Sequence, residues 1–127
     1  MSRASFIDLY KIGVRSLTIA LPSLMEIARS LESMNCVFEI KASTICHITN
    51  PNKALAYKRL GIDRIVIDES IHRDFQTLRN IRDAFGPKVE VIVNTQCHKS
   101  CIYRNFHYNE VGGHSQGIHR AGQDSGL

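Results

Sequence analysis

Four short runs rich in β-forming residues, each leading into a stretch with helical spacing, limit most sharply what this chain can fold into. The runs are VRSLTIA (14–20), CVFEIKAST (36–44), IDRIVIDES (62–70) and KVEVIVN (88–94). Their starts recur about every 25 residues, the period of βα units in a parallel sheet. The segments between them carry helix punctuation. FIDLYKIG ends on Gly13, and Pro22 suits the first turn of a helix through SLMEIARSLES. Asn50-Pro51 supplies a cap and first position for NKALAYKRLG, which Gly61 closes. In IHRDFQTLRNIRDAFGP, helical spacing puts Ile71, Phe75, Leu78, Ile81 and Phe85 on one face before Gly86-Pro87 stops the helix. The pattern predicts an α/β fold of about four parallel strands with helices.

An internal echo bears on the closure of that sheet. GVRSLTIA (13–20) and GIDRIVID (61–68) each set a glycine before a β-branched residue and a strand-like run. Any βα protein produces such echoes, and so does repetition within a (β/α) barrel. Four strands are half of an eight-stranded barrel, which takes around 250 residues. A partial (β/α) barrel over 1–108 leaves two strand edges unpaired, so self-association or a missing barrel half is expected. From Asn109 the composition changes. Residues 109–127 hold five of the eight glycines and almost no large apolar side chains, which predicts a flexible tail.

With 43% hydrophobic and 22% charged residues, the 127-residue chain has the composition of one globular domain. No apolar run approaches the roughly 20 residues that cross a bilayer, and MSRASFIDLYKIG lacks a signal peptide's layout. A soluble cytoplasmic protein without a membrane span is the expectation. Four cysteines (Cys36, Cys46, Cys97, Cys101) are too few and scattered for a disulfide scaffold. The net charge of +4 is spread among acidic neighbours, so charge alone does not indicate a nucleic-acid partner.

In parallel α/β sheets the working residues gather where strands end. Here those ends offer Thr44, Cys46 and His47, then Asp68 and Glu69, then Asn94, Gln96 and Cys97, while the first gives only Ala20 and Leu21. Cys97 and Cys101 are spaced to share a metal or cluster, with zinc or iron–sulfur suited to soft sulfur. His107 and His114 are candidates to complete a zinc site, although C-x₃-C-x₅-H-x₆-H is not a familiar spacing. Arg104, His107 and Asn109 are candidates to line an anion pocket. Cys36 and Cys46 read as core thiols, His47 as solvent-touching beside Cys46, and His72 as a solvated residue. Asp68-Glu69 reads as a helix cap, with a metal or acid–base role as the alternative. Common hydrolase signatures such as G-x-S-x-G and H-E-x-x-H are absent. A Cys-His peptidase with Cys97 or Cys46 as nucleophile is the remaining hydrolytic arrangement.

LTIALPSLMEIARSL, KASTICHITNPNKALAYKRLGIDRIVIDESIHRDFQTLRNIR and VEVIVNTQCHKSCIYRNFHYN together resemble the collagenase-like peptidase family U32, over roughly residues 10–115. The most specific part is a strand, N-x-x-C-x-x-x-C, then Arg, His and Asn, followed by GHSQ. The resemblance implies a TIM-like barrel, of which this chain holds the central portion, and a peptidase or hydrolase label. It also implies a second activity, that of iron–sulfur-dependent hydroxylation factors acting on RNA bases or quinone precursors. RNA or a small aromatic compound would then be the substrate. Carried over residue by residue, Cys97 and Cys101 would be two of four cluster ligands, with Asn94, Arg104 and His107 as catalytic candidates. Two departures stand out: the remaining family cysteines have no counterpart here, and Gln96 replaces a glycine before the first cysteine. A non-catalytic, partner-binding barrel fragment is the alternative, and it predicts exposed apolar surface.

Overall fold

The computed structural model describes residues 2–95, 97, 101–115 and 117. The chain forms two units, Met1–Thr95 and Gln96–Leu127. The first is a four-stranded parallel sheet in the unbroken order β1-β2-β3-β4, with β1 at Ser16–Ile19, β2 at Glu39–Ala42, β3 at Arg64–Val66 and β4 at Val89–Glu90. Helices α1 (Arg3–Lys11), α2 (Pro22–Ser30), α3 (Pro51–Arg59) and α4 (Phe75–Phe85) precede or link the strands. A sheet that adds each new strand on the same side winds in one direction, as a barrel wall does. A doubly wound sheet would reverse its order midway. The expected partial barrel is therefore the observed architecture.

The cap at Asn50 acts where the sequence placed it. Asn50 accepts the Lys53 N–H at 2.9 Å to open α3, with Pro51 behind it. Asp74 does the same for α4 through the Thr77 N–H at 3.0 Å, so α4 starts at Phe75 rather than at Ile71. As the first helical residue, Phe75 is exposed, while Ile81 and Phe85 are buried. The strands are shorter than the apolar runs because a ladder ends where its neighbour diverges. Val91, Ile92 and Val93 continue beyond β4 as exposed residues.

Alternation divides the two faces of the sheet. Ile40 and Ala42 of β2 and Ile65 of β3 are fully buried, in one core with Phe6, Met25, Leu31, Phe38, Ile81 and Phe85. Phe38 takes the edges of Phe6 and Tyr10, at centroid distances of 6.3 and 5.4 Å. The opposite face is ionic. Arg64 pairs with Glu39 at 3.3 Å and Glu90 at 3.1 Å, and Lys41 reaches Glu90 at 2.9 Å. That face thus carries two cations and two carboxylates that neutralise one another. Apolar exposure lies instead at positions such as Ile12 and Val93.

The strand starts are held by a half-buried arginine. Arg29 of α2 donates to Asp63, to the Phe38 carbonyl at 3.1 Å and to Glu32 at 2.5 Å. Asp63 in turn accepts the Ile40 N–H at 2.8 Å, so one carboxylate joins α2, β2 and β3. Gly61 makes room for this joint. Its φ is +79°, and an added Cβ would stand 3.3 Å from Arg29 Nε.

The second unit contains α5, Arg104–Ser115. Asn109, where a flexible tail was expected to begin, lies within this helix, and Gly112 and Gly113 are helical too. Two adjacent glycines each disfavour a helix by about 1 kcal/mol, which is why composition pointed the other way. Residues 118–127 lie outside the described part of the chain.

The two ionic systems should differ in weight. Asp63→Ala removes one carboxylate from the Arg29 guanidinium, only 18% exposed, leaves the Ile40 N–H without its acceptor, and should lower unfolding free energy in urea by about 2–3 kcal/mol. Arg64→Met, on the water-facing side, should cost about 1 kcal/mol or less. Equal losses would overturn this ranking.

Candidate functional site

Parallel strands deliver their C-terminal ends to one rim, and β2 and β3 place a linked pair there. After β2, Ser43 Oγ accepts the Ile45 N–H at 3.3 Å and starts a single 3₁₀ turn, Thr44–Cys46. His47 leaves that turn at φ +52°, a left-handed conformation uncommon for a residue with a Cβ. After β3, Asp68 opens another 3₁₀ turn, Glu69–Ile71, its Oδ1 accepting the Ser70 N–H at 2.9 Å. Asp68 Oδ2 lies 3.0 Å from His47 Nδ1. Two further bonds tie the turns together: Asp68 N–H to the Ile48 carbonyl at 3.0 Å, and Thr44 Oγ1 to the Ile67 carbonyl at 3.3 Å. Asp68 is the one buried polar or charged residue among the described residues, at 1% exposure.

The expected cap at Asp68 is present, and it does more than cap. His47 is held by this carboxylate rather than simply solvated. His72 also departs from expectation, because its Nε2 is shielded from solvent without a hydrogen-bond partner. Cys36 packs against the core as a partly buried thiol. Cys46 is buried, and its Sγ–H points to the carbonyls of Ala20 at 3.4 Å and Ile19 at 3.7 Å. Burial pushes the Cys46 thiol up, against the opposing pull of its hydrogen bonds with Tyr57 and the Ser43 backbone. Burial likewise pushes the Tyr57 phenol up to about 12, aided by its bond to Cys46. A neutral, buried thiol is a poor nucleophile, so Cys46 serves the core.

The second unit holds a cavity of about 510 Å³ lined by Cys97, Cys101, Tyr103, Arg104, Phe106, His107 and Glu110. Helical spacing explains the set. Arg104, His107 and Glu110 recur every three residues along α5 and share a face. The Arg104 N–H donates to the Cys101 carbonyl at 3.3 Å, setting the second cysteine at the start of the helix. Both cysteines are half-buried free thiols. The structure therefore brings together four of the five expected site residues. Asn94, the fifth, lies in an exposed turn after β4, in the first unit. Gln96, expected to alter the turn before Cys97, falls outside the described residues. Asn109 does not line the cavity.

An iron–sulfur cluster takes four thiolates and a structural zinc takes four ligands. Among the described residues, no group of three or more His, Cys, Asp and Glu is placed to hold a metal ion. The set Cys97, Cys101, His107 and His114 is thus not assembled around one point. The donor set offers two soft ligands, half of what either centre requires.

Comparison with known proteins bears on the whole chain. Residues 2–112 match the model of peptidase family U32. An uncharacterised protease from Methanocaldococcus jannaschii is 31% identical over 104 residues, covering 82% of this chain and 30% of that protein. The solved structure of the U32 peptidase Mk0906 superposes with a TM-score of 0.76 at 19% identity, covering 98% of this chain and 49% of that one. The chain thus spans less than half the length of these two relatives. No helix among the described residues is long and apolar enough to cross a membrane.

The buried Cys46–Tyr57 pair sets an alkaline limit. Both groups keep their protons above the usual values of 9.0 and 10.0. The folded state then binds more protons than the unfolded chain as pH rises past about 9. Stability from this pair is fully present below pH 9 and should fall progressively towards pH 12. Urea midpoints across that range should slope downward in the wild type and flatten in Cys46→Ala/Tyr57→Phe; an unchanged slope would refute the assignment.

Proposed function

The chain belongs to peptidase family U32, and from that premise we propose that it provides part of a (β/α)-barrel hydrolase that acts on peptide bonds. The observation carrying this reading is the cavity in which two thiols, an imidazole, a guanidinium and a carboxylate meet two aromatic rings. Its volume falls in the range of small-ligand sites. In hydrolysis, a Cys97 or Cys101 thiolate is the attacking group and His107 the proton carrier. Arg104 binds a carboxylate or other anion of the substrate, for which its planar fork is suited. Asn94 remains a candidate through its place after β4.

A second reading is favoured by the same cysteines lying beside Tyr103 and Phe106. Here Cys97 and Cys101 contribute two ligands to an iron–sulfur cluster completed from outside the described residues. The rings stack an RNA base or a small aromatic quinone precursor. The cluster would supply redox chemistry for hydroxylation; the protein's own part is to bind and orient the aromatic substrate. The sheet edges at β1 and β4 fit closure by a second copy or by the other barrel half.

One preparation tests both. The peptidase reading expects cleavage of gelatin or a peptide library, falling at least about 100-fold in Cys97→Ala or Cys101→Ala. The cluster reading expects stoichiometric iron and sulfide with visible absorbance after anaerobic purification, lost in Cys97→Ser/Cys101→Ser. A colourless chain that cleaves no peptide would reject both.

A further inference from the structure

The first unit pairs its cations on the open sheet face and leaves others unpaired on the helix-covered side. We infer that the last turns of α3 and α4, with the entry to β4, form a binding surface for the phosphate backbone of a single-stranded nucleic acid. Lys58 and Arg59 close α3, Arg79 and Arg82 lie in the last two turns of α4, and Lys88 leads into β4. Helix α3 packs against α4, and Lys58 Nζ donates to the Ala84 carbonyl at 3.5 Å, joining the two helix ends. All five cations are exposed. Among the described residues, Lys58, Arg59, Arg79 and Lys88 form no ion pair, and Arg82 meets only Asp83, at 4.0 Å. Lys41 and Arg64 on the sheet face, by contrast, are both paired. Clustered, unpaired cations on a chain of net charge +4 are the electrostatic footprint of a polyanion site.

Three observations choose the occupant. First, cations in a last helical turn offset the helix dipole, but that effect does not extend to Arg79, further back in α4, or to Lys88, beyond its end. Second, Lys58 and Lys88 line a hollow of about 290 Å³ with Ile62, Asp63, Phe85 and Pro87. Asp63 is already engaged there by Arg29 and the Ile40 N–H. The hollow falls just short of the roughly 300 Å³ at which compact small-ligand sites begin, so it suits one unit of a strand. Third, its apolar floor is buried, with Ile62 4% and Phe85 6% exposed. Such a floor has nothing to insert into a bilayer, and the Phe85 ring offers no open face for a base to stack on. Phosphates are then the recognised element, which gives no preference among bases. The surface uses neither the cysteine cavity nor a cluster, so its test is separate from those of the two readings above.

Fluorescence anisotropy of a short labelled oligouridylate with the full chain measures this binding. Four phosphate contacts, at Lys58, Arg59, Arg79 and Lys88, predict an affinity about 50-fold weaker at about 200 mM salt than at about 50 mM. Oligoadenylate should behave alike. Lys58→Gln/Lys88→Gln halves the contacts and should reduce that ratio to about sevenfold. Arg59→Gln/Arg79→Gln should do the same; neither of these side chains is bonded to another described residue, so this variant decides the case if the first fails to fold. Arg64→Gln removes a cation from the sheet face and should leave the ratio unchanged. A ratio unchanged in both double variants, or no binding at the lower salt, would overturn the proposal. So would equally tight binding of polyglutamate or of phosphatidylserine–phosphatidylcholine vesicles, since the surface would then serve an acidic peptide or a membrane.

Discussion

The constraint on which the rest depends is that every strand pair in the first unit is parallel. A parallel pair cannot be joined by a tight turn. The chain must cross back over the sheet, and helices do so on one face. Two consequences follow. All strands finish at the same rim, so residues far apart in sequence, such as His47 and Asp68, meet there. Only the helix-covered face needs apolar side chains, which frees Glu39, Lys41, Arg64 and Glu90 to form an ionic lattice on the other.

The segment around β3 shows how the two ends of one strand divide their work. Asp63, just before the strand, joins α2 to β2 through Arg29 and the Ile40 N–H. Asp68, just after it, is buried and holds a histidine. Both carboxylates accept a backbone N–H as well as a cationic or ring donor. The difference lies in the partner. Asp63 meets a guanidinium, which keeps its charge at any ordinary pH, whereas Asp68 meets an imidazole ring.

Local signals were legible where a residue's effect is local. The Asn50-Pro51 start of α3, the glycine at 61 and the polar strand ends all follow from side-chain hydrogen bonding or backbone freedom within a few residues. The pairing of His47 with Asp68 left no such trace, because it depends on two turns brought together by β2 and β3. The one available signal was that both positions directly follow adjacent strand runs. Helix α5 was hidden for a different reason. Its glycines argue against a helix, while the spacing of Arg104, His107 and Glu110 that argues for one spans only two turns.

By itself the sequence determined that strands and helices alternate and where α2 and α3 begin. It also carried the family resemblance that the comparison of residues 2–112 established. These features rest on short-range spacing and on the transfer of apolar groups from water, both readable one segment at a time. Only the tertiary structure decided that the strands lie in unbroken order and that the open face is ionic. It alone placed a buried aspartate behind His47 and set both cysteines in one cavity with Arg104 and His107. Those are facts about which segments become neighbours, and neighbours are chosen by the packing of the whole sheet rather than by any one stretch of chain.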